Sequence, residues 1–249
     1  MDHYFVTGAT GNIGSALVPL LLKRTGSIQL LIRADSEAHL QQRFAELCSF
    51  WEITPEKARE RILPCRGDMT EPGLGLNAAD YDTLSRRCTH IIHCGGVVRM
   101  NLPIDEARKS AVGAAREIIA LGEKARRNAT LKKIDFVSTV GVIGCLSRPL
   151  TEQLVTEERT FHNSYEQAKA EAEDLLYPYM ADNSLPITIH RPSMVVGDSK
   201  SGKAISFQVF YHICEFVSGK RTFGLLPRLS GAQLDIIPVD YVAKVIAWA

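Results

Sequence analysis

Short apolar segments alternate with longer segments whose apolar residues recur at helical spacing along most of the chain. The short segments predict β-strands over residues 3–7, 28–33, 62–66, 90–94, 133–138 and 187–191, with a late strand at 234–238. The longer segments predict helices over residues 13–23, 37–50, 81–87, 104–127, 162–180 and 205–217. Because strands alternate with helices, the predicted fold class is α/β, a Rossmann-type doubly wound parallel sheet.

The composition changes after Gly197, where a polar loop precedes an apolar, aromatic-rich helix. We therefore predict a nucleotide-binding Rossmann domain over residues 1–196 and a small, partial substrate-binding region over residues 197–249. The late strand is expected to return to the main sheet. Phe207 and Phe210 of the aromatic helix could equally belong to an ordinary core. In the first helix, Pro19 removes a helical hydrogen bond, so we expect a kink there.

Composition and charge exclude several classes of protein. Of the 249 residues, 45% are hydrophobic, which allows a substantial core, and a formal net charge of +1 gives no basis for binding nucleic acid. No apolar run approaches a membrane span and no signal peptide fits, so a cytoplasmic protein is expected. The six cysteines form no CxxC pair and no zinc-type spacing, so no metal site is expected. His90, His93 and Cys94 are interpreted as part of a buried strand.

The first strand runs directly into a glycine-rich turn that is followed by the first helix. Glycine permits unusual backbone dihedrals, lets the backbone approach a pyrophosphate, and allows the helix to pack closely on the strand. The free N–H groups at the start of the helix can receive phosphates. Strand, glycine spacing and helix together predict a dinucleotide-binding site. Its predicted residues in this turn are Gly8, Thr10, Gly11, Asn12, Ile13 and Gly14.

Two further groups of residues could carry chemistry. Tyr165 and Lys169 are four residues apart in a predicted helix, so the phenol and the ammonium lie on one helix face. A nearby cation favours the phenolate and makes proton transfer by tyrosine useful, although a single pair at this spacing is more often a surface feature. Ser138 and Thr139 stand at the end of a predicted strand, where ligands collect in parallel sheets. Either hydroxyl alone could merely bind local backbone groups.

A second glycine-containing loop, residues 197–203, has the spacing of a phosphate-binding loop. The residue after Lys203 is Ala204, where such loops require a Ser or Thr hydroxyl to bind magnesium. We therefore do not interpret this loop as a phosphate site.

The glycine turn, the strand-end Ser-Thr pair and the Tyr-x-x-x-Lys sequence, in this order, resemble the extended short-chain dehydrogenase/reductase superfamily over essentially the whole chain. Other segments resemble its thioester reductase branch, which includes terminal reductase domains of peptide synthetases, carboxylic acid reductases and fatty acyl reductases. Those segments are Gly67-Asp68-Met69-Thr70 followed by Gly73-Leu74-Gly75-Leu76, then His93-Cys94-Gly95-Gly96-Val97-Val98, and Arg191-Pro192-Ser193.

The resemblance implies a role for each matching position. Thr139 would help to hold the substrate oxygen, and Tyr165 would donate the proton. Lys169 would bind the nicotinamide ribose and lower the pKa of the tyrosine, so that Tyr165 and Lys169 also belong to the cofactor site. Ser138 would contribute to the same site. The other cofactor-binding positions that the resemblance implies are Asp68, Met69, Gly95, Gly96, Val97, Pro192 and Ser193.

The choice between NADP(H) and NAD(H) depends on the end of the second strand. Proteins specific for NAD usually have an acidic residue there for the ribose hydroxyls, whereas this chain has Arg33. The fixed charges of Arg33 and of Arg43 in the next helix suit a 2′-phosphate, so NADP(H) is favoured over NAD(H). The preference reverses if Asp35 faces the ribose instead.

The resemblance favours an NADPH-dependent reductase of an acyl thioester, bound to coenzyme A or to an acyl or peptidyl carrier protein, that forms an aldehyde and could reduce it further to an alcohol. A sugar-nucleotide epimerase, a dehydratase or another dehydrogenase on the same fold is the alternative enzyme. A non-catalytic NADP-binding regulator is the alternative of another class, although it would have no use for the Tyr-Lys pair. Because relatives continue beyond the segment around Asp240, the chain is expected to be a fragment or to have a reduced substrate cap.

Overall fold

In the computed structural model, described for residues 1–219, 223–225 and 233–249, six parallel strands form one sheet with helices on both faces. The strands are β1 (His3–Thr7), β2 (Ser27–Ile32), β3 (Ile62–Arg66), β4 (His90–His93), β5 (Lys133–Val137) and β6 (Ile187–His190). Their spatial order is β3-β2-β1-β4-β5-β6, so the order reverses between β1 and β4. Doubly wound sheets bind ligands beyond the carboxyl ends of the strands at this position. The predicted fold class is confirmed.

All six predicted helical segments are present, with changes at their ends. They are α1 (Asn12–Leu21), α2 (Glu37–Trp51), α3 (Pro55–Arg59), α4 (Ala78–Arg87), α5 (Ile104–Arg108), α6 (Ala114–Arg127), α7 (Ser164–Ala181), α8 (Val209–Val217) and α9 (Val239–Trp248). A π-helical turn, Lys109–Gly113, joins α5 to α6, so the long predicted helix is continuous. The short α3 was not predicted, although Thr54 and Pro55 form a regular helix start.

Alternating residues of the strands supply two cores, one on each face of the sheet. On β1, Tyr4 and Val6 pack on the face covered by α1, α2 and α9, whereas Phe5 packs on the opposite face. On β5, Phe136 belongs to the same face as Phe5, beneath α6 and α7. This period of two follows from the pleat of a strand buried on both sides. It places α1 and α7 on opposite sides of the sheet.

The C-terminal segment differs from its predicted arrangement. The late strand was predicted to return to the main sheet, and this prediction is wrong. The strand, β8 (Ile236–Pro238), pairs in parallel with β7 (Met194–Val196), which was not predicted. The chain leaves the main sheet after His190, and Pro192 cannot donate a ladder hydrogen bond, so β7 forms a separate ladder. The boundary after residue 196 stays a prediction.

The last helix, α9, shares the core of the nucleotide-binding half. Its buried residues Val242, Ala243 and Ile246 pack in one cluster with Leu17 and Val18 of α1. Residues 239–248 therefore contribute to the main sheet's core even though the predicted boundary assigns them to the substrate-binding region.

Pro19 lies in the last turn of α1, which ends at Leu21. The proline therefore leaves little helix beyond it, and the kink stays a prediction. Among the described residues, no helix has the length and apolar character needed to cross a membrane.

Candidate active site

The glycine turn between β1 and α1 brings three stretches of backbone into close contact. Gly8 has a φ of 74°, and a methyl group on it would lie 2.5 Å from the Gly95 nitrogen. A methyl group on Gly14 would lie 2.3 Å from the Gly8 carbonyl oxygen. Gly11 precedes α1 in extended conformation, so the first N–H groups of the helix face the turn. The packing therefore requires glycine where the sequence predicted a phosphate-binding turn.

Two adjoining cavities lie beyond the carboxyl ends of the strands, and we call them together the cleft. The first, of about 210 Å³, is lined by these predicted residues: Gly8, Thr10, Gly11, Arg33, Arg43, Asp68, Met69, Gly95, Gly96 and Val97. The second, of about 400 Å³, is lined by Gly11, Asn12, Ile13, Gly95, Gly96, Ser138, Thr139, Tyr165, Lys169, Pro192 and Ser193. The structure thus brings every predicted site residue except Gly14 to the cleft, and Gly14 packs behind the turn.

The outer end of the first cavity is basic. The Arg43 guanidinium donates a hydrogen bond of 3.2 Å to the Thr10 hydroxyl and another to the Arg33 carbonyl oxygen. The Arg33 side chain is 72% exposed, with its guanidinium 4.0 Å from the Asp68 carboxylate. The Asp35 carboxylate is also exposed, but it lies 3.4 Å from the imidazole of His39 and does not line the cavity.

Thr139 and Tyr165 both line the second cavity. Thr139 follows β5, and its hydroxyl accepts a hydrogen bond of 3.2 Å from the Gly141 N–H, which fixes the side chain. Burial raises the pKa of Tyr165 to about 12, while a hydrogen bond with Thr139 acts in the opposite direction. The two hydroxyls can therefore approach one substrate oxygen together.

Lys169 lies one turn further along α7 and is almost fully buried. Its ammonium donates a hydrogen bond of 2.7 Å to the Val137 carbonyl oxygen and lies 5.1 Å from the centre of the Phe136 ring. Burial lowers the pKa of Lys169 to about 8, and the negative charge of Glu173 partly opposes that shift. The groups that shift the pKa of Tyr165 are Thr139 and Glu166, in addition to burial, so the predicted effect of Lys169 on the tyrosine stays a prediction.

Ser138 is a buried polar group whose hydrogen-bonding capacity is unused. It is 4% exposed, lines the second cavity, and has a hydroxyl with no hydrogen-bond partner among the described residues. A buried hydroxyl without a partner carries a desolvation cost, so a ligand that bonds to it gains affinity. Together with the backbone cradle of Gly8, Gly14 and Gly95, this orphan hydroxyl fits a dinucleotide that extends across both cavities.

The histidine and cysteine residues at the end of β4 have partners in the core. The His93 ring lies 2.8 Å from the Thr7 hydroxyl and stacks on Phe136. Burial lowers the pKa of His93 to about 3 and raises that of Cys94 to about 12, so both are neutral at ordinary pH. Within the described parts of the chain, no group of three His, Cys, Asp or Glu side chains could hold a metal ion.

The loop over residues 197–203 closes on itself. The Asp198 carboxylate accepts hydrogen bonds from the N–H groups of Lys200 and Ser201 and from the Ser201 hydroxyl, at 2.9 to 3.0 Å. Lys203 pairs with Glu52 at 2.7 Å. The donors that a phosphate would need are therefore already engaged, which agrees with the sequence interpretation.

Several residues of the cleft were not predicted. The Asn12 side chain bonds to the backbone carbonyl and N–H of Ser206 at 3.0 and 3.1 Å, which brings the 204–208 segment over the glycine turn. Gln208 lines both cavities. Val98, Met100, Val209 and Phe210 form an apolar wall of the second cavity, and Gln233 and Asp235 add polar groups to its lining. The aromatic character of residues 205–217 was the only sequence signal for this wall.

Comparison with known proteins decides the family. Residues 6–246 match the profile of the NAD-binding family described as male sterility protein. The chain belongs to this family. It is 31% identical over 245 residues to a linear gramicidin synthase of Brevibacillus parabrevis, and the match covers 96% of this chain and 5% of that protein. It is 30% identical over 247 residues to isonitrile lipopeptide synthase of Streptomyces coeruleorubidus, and the match covers 98% of this chain and 16% of that protein.

Among solved structures, the terminal R domain from the myxalamid PKS-NRPS biosynthetic pathway superposes on this member of the male sterility protein family with a TM-score of 0.81. The two are 31% identical, over 99% of this chain and 62% of that chain. The chain thus spans only part of the length of these relatives. The comparisons confirm the predicted resemblance to the extended short-chain dehydrogenase/reductase superfamily and to its reductase domains. They also confirm the predicted class of NAD(P)-dependent oxidoreductases.

Proposed function

We propose that this chain carries the catalytic site of an NADPH-dependent reductase that converts an acyl thioester, bound to a carrier protein or to coenzyme A, into an aldehyde. The observation that carries the proposal is the continuity of the cleft. Thr139, Tyr165 and Lys169 line the same cavity that begins at Gly11 of the dinucleotide turn. A reducible carbonyl next to Thr139 would therefore face a cofactor whose phosphates lie at the N-terminus of α1.

In the proposed reduction, Thr139, Tyr165 and Lys169 have different roles. Reduced nicotinamide, when bound, supplies a hydride to the carbonyl carbon. The hydroxyls of Thr139 and Tyr165 hold the carbonyl oxygen and stabilise the negative charge that develops on it. Tyr165 gives its proton to that oxygen, and the charged Lys169 compensates the phenolate that remains. The thiohemiacetal then releases the thiol and leaves the aldehyde.

The preference for NADPH is supported by the basic end of the first cavity. Arg33 and Arg43 line it, whereas the Asp35 carboxylate lies against His39. Two guanidinium groups can bind a 2′-phosphate with charge-assisted hydrogen bonds that a ribose hydroxyl cannot match.

A carrier-bound substrate is supported by the names of the relatives and by the shape of the site. The similar proteins are a gramicidin synthase, a lipopeptide synthase and a terminal R domain of a PKS-NRPS pathway. The second cavity adjoins a surface groove of about 1020 Å³, and Val140, Gly141 and Glu166 line both. A thioester with a long pantetheine arm could therefore reach Thr139 from the surface along this path.

The test is turnover by the protein, and by the longer protein if this chain is a part of one. It is incubated with NADPH and a panel of acyl-coenzyme A and acyl-carrier thioesters while NADPH oxidation and free thiol release are followed together. Release of one thiol for each NADPH oxidised supports the proposal. Oxidation with ketones or nucleotide sugars, but never with thioesters, would assign the chain to another enzyme class. NADPH binding without turnover of any carbonyl substrate would favour a regulator.

A further inference from the structure

Four residues of α7 recur at a spacing of four and therefore lie along one face of the helix: Tyr165, Lys169, Glu173 and Tyr177. The first two line the cleft. The last two continue the row away from it, and the proposed chemistry does not use them.

Glu173 is at the centre of a buried polar cluster. Its side chain is 0% exposed, and its carboxylate accepts hydrogen bonds from Arg191 Nη2 at 2.7 Å and Nε at 3.1 Å, and from the Tyr177 hydroxyl at 2.7 Å. Arg191 also donates to the backbone carbonyl oxygens of Thr151 and Gln153, at 3.1 and 3.0 Å. Every charge in the cluster is therefore paired and hydrogen-bonded, as burial requires.

The cluster has two connections to the cleft. Arg191 immediately precedes Pro192 and Ser193, which line the catalytic cavity, so its ion pair ties their segment to α7. The Glu173 charge also acts on the Lys169 ammonium one turn away on the same helix. A buried ion pair is weak evidence for stability by itself, because apolar residues of similar volume often stabilise a core as well. The Glu173–Arg191 pair connects Lys169 with the Pro192-Ser193 segment, and both of these line the cleft, so we infer a role beyond stability.

His93 and Cys94 interact electrostatically with Lys169, and Tyr165 lines the same cavity as Lys169; all three are uncharged over the useful pH range. Burial lowers the pKa of His93 to about 3, and it raises the pKa values of Cys94 and Tyr165 to about 12. His93 and Cys94 lie at the end of β4, and Tyr165 lies one turn before Lys169 in α7. Because the Cys94 thiol is neutral in this range, Glu173 supplies, among the described residues, the negative charge that acts on Lys169.

Two further charged groups lie nearby. The Arg191 guanidinium forms its ion pair with the Glu173 carboxylate. Asp135 is on the neighbouring strand β5, where it pairs with Lys133 at 3.3 Å and with His190 at 2.8 Å. Because successive residues of a strand point to opposite faces, Asp135 and Phe136 lie on different sides of the sheet, and the ring of Phe136 is the one beneath Lys169.

We propose that Glu173, held by Arg191 and Tyr177, is a positioning residue that keeps Lys169 protonated in the cleft and fixes the Pro192-Ser193 segment against α7. The part of the inference that is tested by thioester turnover rests on the proposed function. The part that is tested by NADPH affinity does not. It has a direct consequence for pH dependence. The pKa of Lys169 is already lowered to about 8 by burial, so loss of the opposing Glu173 charge lowers it further, and Lys169 loses its proton at a lower pH.

The experiment measures the affinity for NADPH by fluorescence as a function of pH, with no acyl substrate, in the full chain. Glu173→Gln leaves Arg191 buried without its partner, so we pair it with the double variant Glu173→Gln/Arg191→Met, which leaves no unpaired charge. Tyr177→Phe removes one hydrogen bond to the Glu173 carboxylate and leaves the charge of that carboxylate in place. Glu171→Gln is the matched control, since Glu171 also forms a two-pronged ion pair on α7, with Arg108 at 2.8 Å, but lies two residues from Lys169 and therefore off its helix face.

In wild type, affinity should fall as the pH rises through the pKa of Lys169. In both Glu173→Gln and the double variant, the midpoint of that fall should move down by about one pH unit, while the double variant regains Tm relative to the single one. Tyr177→Phe and Glu171→Gln should keep the wild-type midpoint. The alkaline limb of kcat should move in parallel where thioester turnover is found.

A double variant whose affinity profile superimposes on that of wild type would overturn the proposal, as would an equal shift in Glu171→Gln. The cluster would then have a structural role alone. Absence of thioester turnover would reject the proposed function but would leave the binding result and its conclusion intact.

Discussion

The indole N–H of Trp51 donates a hydrogen bond of 2.7 Å to the carbonyl oxygen of Ser15 in α1. That carbonyl is the one that Pro19, four residues later and without an N–H, leaves without a helical donor. Trp51 is the last residue of α2, so the hydrogen bond also ties the end of α2 to the dinucleotide-binding helix. The proline is therefore accommodated by a side chain that is distant in sequence.

Trp51→Phe should lower the free energy of unfolding by about 1 to 3 kcal/mol, because it leaves a buried carbonyl oxygen unsatisfied. Trp248→Phe is the matched control, since Trp248 is 86% exposed, and it should change stability little. Urea denaturation of the three proteins measures the difference. Equal stabilities of the two variants would show that the Trp51 hydrogen bond contributes nothing.

Gly14→Ala should abolish or severely reduce stability, because its methyl group would lie 2.3 Å from the Gly8 carbonyl oxygen. Gly113→Ala is the comparison, since Gly113 has helical backbone angles and its nearest neighbour would be 4.0 Å away. That change should raise stability by about 0.5 to 1 kcal/mol. Thermal unfolding measures both, and a Gly14→Ala protein with wild-type Tm would contradict the close packing at the turn.

Tyr165→Phe should reduce turnover by about 10² to 10⁴ fold while NADPH still binds, because only the proton donor is lost. Tyr81→Phe removes a phenol outside the cleft and should keep full activity. Steady-state kinetics on a confirmed thioester and a separate NADPH titration supply the two readouts. A Tyr165→Phe enzyme with most of its activity would require another acid.

Arg33→Ala and Arg43→Ala should each weaken NADPH binding by about ten- to a hundredfold, as expected for a lost charge-assisted contact, and leave NADH binding nearly unchanged. Arg66→Ala is the control, because Arg66 stands at the end of the adjacent strand β3 but does not line the cavity. Titration of both cofactors against all four proteins gives the comparison. If wild type bound NADH as tightly as NADPH, or more tightly, the proposed preference for NADPH would be wrong.

His93 should make the protein less stable in acid. Its pKa is lowered to about 3 in the folded state, whereas an unfolded imidazole titrates near about 6.5. Between these values the unfolded chain binds a proton that the folded one does not, so stability falls as the pH drops below about 6.5. His93→Gln should reduce the loss between neutral pH and about pH 4.5, and His212→Gln, at an exposed side chain, should not. Urea midpoints at the two pH values test the slope.

The strands, the glycine turn and the Tyr-Lys pair could be predicted because each depends on residues that are close together in the sequence. The β1 pattern, the glycine spacing and the pair of Tyr165 and Lys169 each lie within one element or one turn. Once the sheet is parallel and its order reverses beside β1, the carboxyl ends of β1, β4 and β5 meet at one edge. The cleft then follows from residues that are far apart in sequence.

The parts that were missed depend on contacts that no local pattern carries. Nothing near Asn12 indicates that its amide will bind Ser206, and three residues of β7 are too few for an alternating pattern. The polar cluster around Glu173 joins three separate segments, which are α7, the residue Arg191 after β6, and the stretch around Thr151. Long-range polar contacts of this kind need the fold before they can be recognised.

The bonds between Asn12 and Ser206 join parts of the chain that are 194 positions apart. Gln208 and Val209, just beyond Ser206, form a wall of the catalytic cavity. Because these bonds link the turn to that wall, we expect a ligand that orders one of them to order the other, and thermodynamic linkage makes the resulting change in affinity reciprocal. The two ligands of the cleft should accordingly bind with positive cooperativity, each raising the affinity for the other by the same factor.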